Sequence, residues 1–174
     1  MLSRAKLCST ATVLTICGQF RDFVENNDLS TLLYDGAGKA KHESAAQKLF
    51  YGIADSYCAA SDLDLTRESN AGRGPVDFKV SRGYRNWVLV EAKLSSNGQL
   101  LHGLETQLTE YQKAEKTRTS VFVVIDVDGE SKPRVEQLKR RIAAAPKDGL
   151  RVPEVVFVNT RRKASASKYR STAP

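Results

Sequence analysis

Ser120-Val121-Phe122-Val123-Val124-Ile125-Asp126 carries five apolar side chains in a row, three of them valine. Successive side chains of a strand point to opposite faces, so a run without alternation must bury both faces at once. Such strands belong to the interior of sheets covered by helices on two sides, usually in a parallel pairing reached through a helical crossover. That one stretch commits the chain to an α/β architecture.

Two further strands lie upstream, at residues 75–80 and 87–94, joined by the turn-rich linker Ser81-Arg82-Gly83-Tyr84-Arg85-Asn86. The short connection predicts a hairpin. In Trp87-Val88-Leu89-Val90-Glu91-Ala92-Lys93-Leu94, Val88, Val90 and Ala92 share one face and Glu91 and Lys93 project together on the other. In the earlier strand, Val76, Phe78 and Val80 share a face and Asp77 lies opposite. Pairing brings Asp77, Glu91 and Lys93 together. Two carboxylates with an ammonium suit a hard divalent cation, which takes carboxylate and carbonyl oxygens plus water, and the Ala92 carbonyl adds a further oxygen. A lysine there can position or deprotonate a water and offset charge on a phosphate. The same residues are equally those of an exposed cross-strand ion pair on a solvated face, which is worth little.

In the first 34 residues, Leu7, Ala11, Leu14, Cys17, Phe20 and Val24 recur every three or four positions, predicting an amphipathic helix and then a shorter one at 29–34. Gly36 and Gly38 break the loop that follows, and Lys39 lacks the Ser or Thr of a phosphate-binding loop. A second helix is predicted over 41–61 from the stripe Ala46, Leu49, Phe50, Ile53, Ala54 and Tyr57. Glu43, two turns before Phe50, is either a first-turn acid answering the helix dipole or a third acid for the carboxylate cluster. Residues 63–68 read as an edge strand, followed by the loop of Gly72, Arg73 and Gly74, where Arg73 is a phosphate contact or an ordinary exposed arginine. A helix at 100–116 buries Leu101, Leu104, Leu108 and Tyr111. Gln107 borders that stripe, where a glutamine is ordinarily a satisfied amide. A basic amphipathic helix at 133–145 and a short strand at 155–158 close the folded part.

The chain has 174 residues, 41% hydrophobic and 27% charged, which suits one globular domain with a sizeable core. No apolar run approaches the ~20 residues of a membrane helix, and residues 11–17, threonine-rich and followed by Arg21, Asp22 and Glu25, read as mature protein rather than a secretion signal. Cys8, Cys17 and Cys58 are odd in number and lack metal-ligand spacing, so reduced thiols and a cytoplasmic location are expected. The net charge of +7 owes most to Arg161, Arg162, Lys163, Lys168 and Arg170; the remaining 22 basic residues nearly balance 20 acidic ones. That tail is either a phosphate-backbone contact or a disordered, solubilising end.

Gly74-Pro75-Val76-Asp77 followed after a hairpin by Val90-Glu91-Ala92-Lys93 resembles the signature of the PD-(D/E)XK nuclease superfamily, with Val76 standing between the proline and the aspartate. Gln107-Leu108-Thr109-Glu110-Tyr111, on the helix after the lysine strand, is similar to the Gln-x-x-x-Tyr motif of its RecB-like and lambda-exonuclease-like members. The resemblance covers roughly 41–128. It implies a restriction-endonuclease-like αβββαβ core at 41–160, a mixed central sheet flanked by helices, preceded by an N-terminal helical extension at 1–40 and followed by the basic tail at 161–174. It further implies a Mg²⁺- or Mn²⁺-dependent deoxyribonuclease. Asp77, Glu91, the Ala92 carbonyl and Glu43 would bind metal, Lys93 would serve the attacking water, and Gln107 and Tyr111 would hold phosphate. DNA is the expected partner, with RNA, a homodimer or a targeting protein left open and no membrane role. The rival readings are a nucleic-acid-binding module with the same fold and no chemistry, and an interaction domain whose tail recruits partners.

Overall fold

The computed structural model of the chain describes residues 4–70, 75–83, 87–114, 117, 119–127, 131–144 and 153–161. Its helices are α1 (Arg4–Asn26), a 3₁₀ turn (Leu29–Leu33), α2 (Glu43–Ala60), α3 (Leu100–His102), α4 (Leu108–Ala114) and α5 (Lys132–Ala144). A π-helical turn, Gly103–Gln107, joins α3 to α4. The strands β1 (Asp64–Asn70), β2 (Pro75–Ser81), β3 (Trp87–Leu94), β4 (Ser120–Asp126) and β5 (Glu154–Asn159) form one mixed sheet in the order β1-β2-β3-β4-β5. The first two pairings are antiparallel and the last two parallel.

Helices cover both faces. On one, Val13, Ile16, Cys17, Phe20 and Val24 of α1 and Ala46, Phe50 and Ala54 of α2 pack on Phe78, Val80, Val88, Val90, Ala92, Val121, Val123 and Ile125. On the other, Leu100, Leu104, Leu108, Tyr111 and Leu138 meet Leu89, Phe122 and Val124. Residues 121–125 of β4 are completely buried, as their unbroken apolar run requires. Phe50 anchors the first layer, with its ring 5.4 Å from Phe20 and 5.0 Å from Phe78, centroid to centroid. The Tyr34 hydroxyl donates to the Val127 carbonyl and also meets Thr160 Oγ1, pinning the N-terminal segment to the ends of β4 and β5. The N-terminal helix thus completes the main core.

Three details depart from the sequence expectations. The buried stripe of α1 runs through Val13 and Ile16, while Ala11 is exposed and Leu14 half-buried. The helix after β3 contains the π turn, in which the Leu108 N–H reaches back to the Gly103 carbonyl. Val76 packs with Leu89 and Leu104, on the opposite side of the sheet from Phe78 and Val80. The β1–β2 register runs through Arg67↔Phe78 and resumes at Ser69↔Val76. Between them Glu68 takes φ 48°, a left-handed conformation uncommon for a residue with a side chain. Strict alternation fails at Glu68 and Asp77, and Asp77 stands at that break.

Cys17 and Cys58 are free and buried. Burial pushes their thiols up to about 12 and about 11, with Asp55 and Asp64 adding to the second. Among the described residues no helix is long and apolar enough to cross a membrane. Arg73 and the tail beyond Arg161 lie outside the described residues.

Candidate active site

Leu89, Glu91 and Lys93 alternate on the face of β3 that meets α3 and α4, so the strand carries its two charges toward a layer otherwise built of leucines. Glu91 is 1% exposed. A carboxylate so far from water needs a partner, and Lys93 Nζ provides one at 2.9 Å from Oε1. Lys93 Nζ also stands 3.4 Å from Glu43 Oε1, bridging the two acids. These burials rule out the solvated ion pair that the sequence left open.

Asp77 joins this corner through β3's backbone. The β2–β3 ladder runs from Ser81↔Trp87 to Phe78↔Val90. One step further, the Ala92 N–H donates to Asp77 Oδ2 at 2.8 Å, so a carboxylate replaces a ladder carbonyl. A residue's N–H and C=O point to the same edge of an extended strand, so the Ala92 carbonyl also faces this side. The Asp77 N–H lies 3.4 Å from Glu91 Oε2. From the helical layer opposite, Gln47 Nε2 donates to Asp77 Oδ1 at 2.8 Å.

Glu43 opens α2 at the C-terminal end of β3. Its Oε2 accepts the Leu94 N–H at 3.0 Å and Asn97 Nδ2 at 2.8 Å, while Oε1 faces Lys93. It is therefore engaged in orienting Lys93 and closing the strand end. Among the described residues no group of three His, Cys, Asp or Glu side chains is arranged to hold a metal. Asp77 and Glu91, with the Ala92 carbonyl, are the oxygens at the shared corner.

The π turn brings in the second motif. Gln107 Oε1 and Lys93 Cε each lie 3.4 Å from the point where a Cβ on Gly103 would stand. Gln107 Oε1 is a buried acceptor with no hydrogen-bond partner among the described residues. Tyr111 is 5% exposed, and burial together with the charge of Glu91 raises its phenol above the ordinary value.

The electrostatics follow from three carboxylates around one ammonium. Burial, and then the charge of Glu91, lifts the Asp77 carboxyl to about 7. Burial also raises Glu91, against the opposing pull of Lys93. For Lys93, burial alone would lower the ammonium, but Glu91, Glu43 and Asp77 together carry it above its usual range. It is a protonated donor in this arrangement, suited to positioning and charge compensation rather than to accepting a proton.

The seven residues singled out from the sequence, Glu43, Asp77, Glu91, Ala92, Lys93, Gln107 and Tyr111, all surround this corner or border it. Gln47 and Asn97 were not foreseen. Gln47 follows Glu43 by one helical turn, and that Glu-x-x-x-Gln spacing is the signal that finds it. Asn97 sits in a turn and carries no comparable pattern.

Residues 9–129 match the sequence family described as Domain of unknown function (DUF8371), a span that contains every residue of this site. No curated protein and no solved structure matches the chain.

Proposed function

We propose that this chain, which belongs to the family described as Domain of unknown function (DUF8371), is a divalent-metal-dependent nuclease acting on DNA, with a core of the PD-(D/E)XK type. The order α2, β1, β2, β3, α3–α4, β4 around a mixed sheet supports the likeness in fold. The observation that carries the reading is the meeting of Asp77, Glu91 and Lys93 in one buried corner, with Asp77 bonded to the Ala92 backbone between the other two.

The donor set fits Mg²⁺ or Mn²⁺. These ions are commonly held by one or two carboxylates with waters and substrate phosphate oxygens rather than by a closed protein cage. Burial raises the proton affinity of both Asp77 and Glu91, with the charge of Glu91 adding to the first and that of Glu43 to the second, which a cation would relieve. Asp77, Glu91 and the Ala92 carbonyl are the residues that would hold it. Such an ion supplies charge stabilisation at a phosphoryl oxygen and acidifies a coordinated water. Lys93 donates hydrogen bonds to a phosphate oxygen or to the attacking water, and Glu43 keeps the ammonium aimed into the corner. Gln107 and Tyr111 wall the site beside Lys93 and offer an amide and a hydroxyl to the phosphate.

A nucleic-acid-binding module without chemistry is the second reading, favoured by one feature: Lys93 is already paired with both Glu43 and Glu91. Incubation of supercoiled plasmid and linear duplex with the protein in Mg²⁺ or Mn²⁺, against EDTA, separates the two. Nicking or shortening that requires the cation supports the nuclease. DNA binding with no cleavage under any cation supports the module.

A further inference from the structure

We infer that Gln47 is a positioning residue for the metal site: an uncharged donor that fixes the Asp77 carboxylate without neutralising it. The inference rests on the metal-site reading above and extends it to a residue outside the recognised motifs. Asp77 Oδ2 is held by the Ala92 N–H and Oδ1 by Gln47 Nε2, both at 2.8 Å. The two donors arrive from different layers, one from β3 and one from α2, so the carboxylate is oriented about its own axis rather than merely tethered. A carboxylate ionised to hold a cation only accepts, and the Gln47 amide presents its nitrogen to it.

The type of donor matters as much as its place. Glu43 and Glu91 pair with Lys93 and Asp77 adjoins Glu91, so among the described residues three acids share the corner with one ammonium, leaving an excess of negative charge when they are ionised. A lysine or arginine at position 47 would make the same hydrogen bond to Asp77 but cancel part of that excess. An amide leaves it available for a cation. Glu43 and Gln47 lie one turn apart on the same side of α2, so one helical turn orients both Lys93 and Asp77. The first turns of α2 thereby set the metal-binding and phosphate-binding sides of the site together.

Calorimetric titration of the full chain with MnCl₂, alongside thermal melting without metal, tests this in the wild type, Gln47→Met and Gln47→Lys. Methionine keeps the length of the side chain and removes the donor. Lysine keeps a donor and adds charge. Partners that orient a ligating group typically contribute ~10–100-fold in metal affinity. Gln47→Met should lose Mn²⁺ affinity by about that factor with a near-wild-type melting temperature. Gln47→Lys should melt at or above the wild-type temperature and lose at least as much Mn²⁺ affinity, because its ammonium neutralises the carboxylate that it orients. Gln47→Met binding Mn²⁺ within about twofold of wild type, on a scale where orienting partners matter ~10-fold, would overturn the role. So would wild-type affinity in Gln47→Lys, which also decides the matter if the methionine variant does not fold. A wild type that takes up no Mn²⁺ overturns the metal reading as well, whereas a binding wild type with unaffected variants overturns the role of Gln47 alone.

Discussion

Glu91 and Asp77 are acids placed where acids are costly, and their energetics set the behaviour of the metal-free protein. Glu91 is 1% exposed, and removing one member of a buried pair strands the other charge at a cost of about 3–5 kcal/mol. Asp77 has its carboxyl raised from 3.8 to about 7 by burial and by Glu91. A group that binds its proton more tightly when folded stabilises the fold below its unfolded value and loses that contribution as pH rises through the folded one. The metal-free protein should therefore melt at progressively lower temperature as pH rises from about 4 to about 7, with Glu91 acting in the same direction. Asp77→Asn should flatten that dependence. Differential scanning calorimetry across this range checks it, and an unchanged slope in Asp77→Asn would assign the pH dependence to other groups. At this scale the sequence spoke clearly about Asp77, Glu91 and Lys93, because charges inside an apolar strand stand out against their neighbours. It was quiet about Asn97, whose amide matches no short pattern, and it marked Gln47 only by its one-turn spacing from Glu43; both acquire their meaning from the carboxylates across from them.

The elements that carry these residues are held by the layer beneath them. α2 delivers Glu43 and Gln47 only while Phe50, two turns further on, stays wedged between Phe20 and Phe78. Phe50→Ala should cost about 3–5 kcal/mol, the usual loss for a fully buried phenylalanine. Urea unfolding measures it directly, and a loss below about 1 kcal/mol would mean that the core closes over the gap. The hairpin and the two-sided burial of β4 are readable in the sequence because period-2 alternation, and its absence, follow from strand geometry alone. The displacement of Val76 is not, since it depends on Glu68 of the neighbouring strand adopting a left-handed conformation. Nor is the π turn at Gly103–Gln107: a regular helical period named Leu101 in the buried stripe, whereas Leu100 is the fully buried leucine and Leu101 is half-buried. Both irregularities adjoin the site: one at Asp77, the other beside Lys93.

Across the whole molecule, the two helical layers do different work. α1 and α2 seal one face of the sheet and the start of α2 reaches over the end of β3 to orient the charged corner, while α3, the π turn and α4 bring Gln107 and Tyr111 to the other side of Lys93. The proposed chemistry lies in the corner between them, and Lys93 is the residue on which both layers converge. Single-turnover cleavage of end-labelled duplex DNA at saturating protein and Mn²⁺, comparing wild type with Lys93→Met, tests that account most directly. Mn²⁺ binding to both proteins is confirmed beforehand by calorimetry, so that a stranded Glu91 is not mistaken for a lost catalyst. The expected rate is about 10²–10⁴-fold lower in the variant, the usual worth of a group acting in the chemical step. Cleavage within a few-fold of wild type would contradict it, and so would a wild type that binds Mn²⁺ and DNA and leaves the duplex intact.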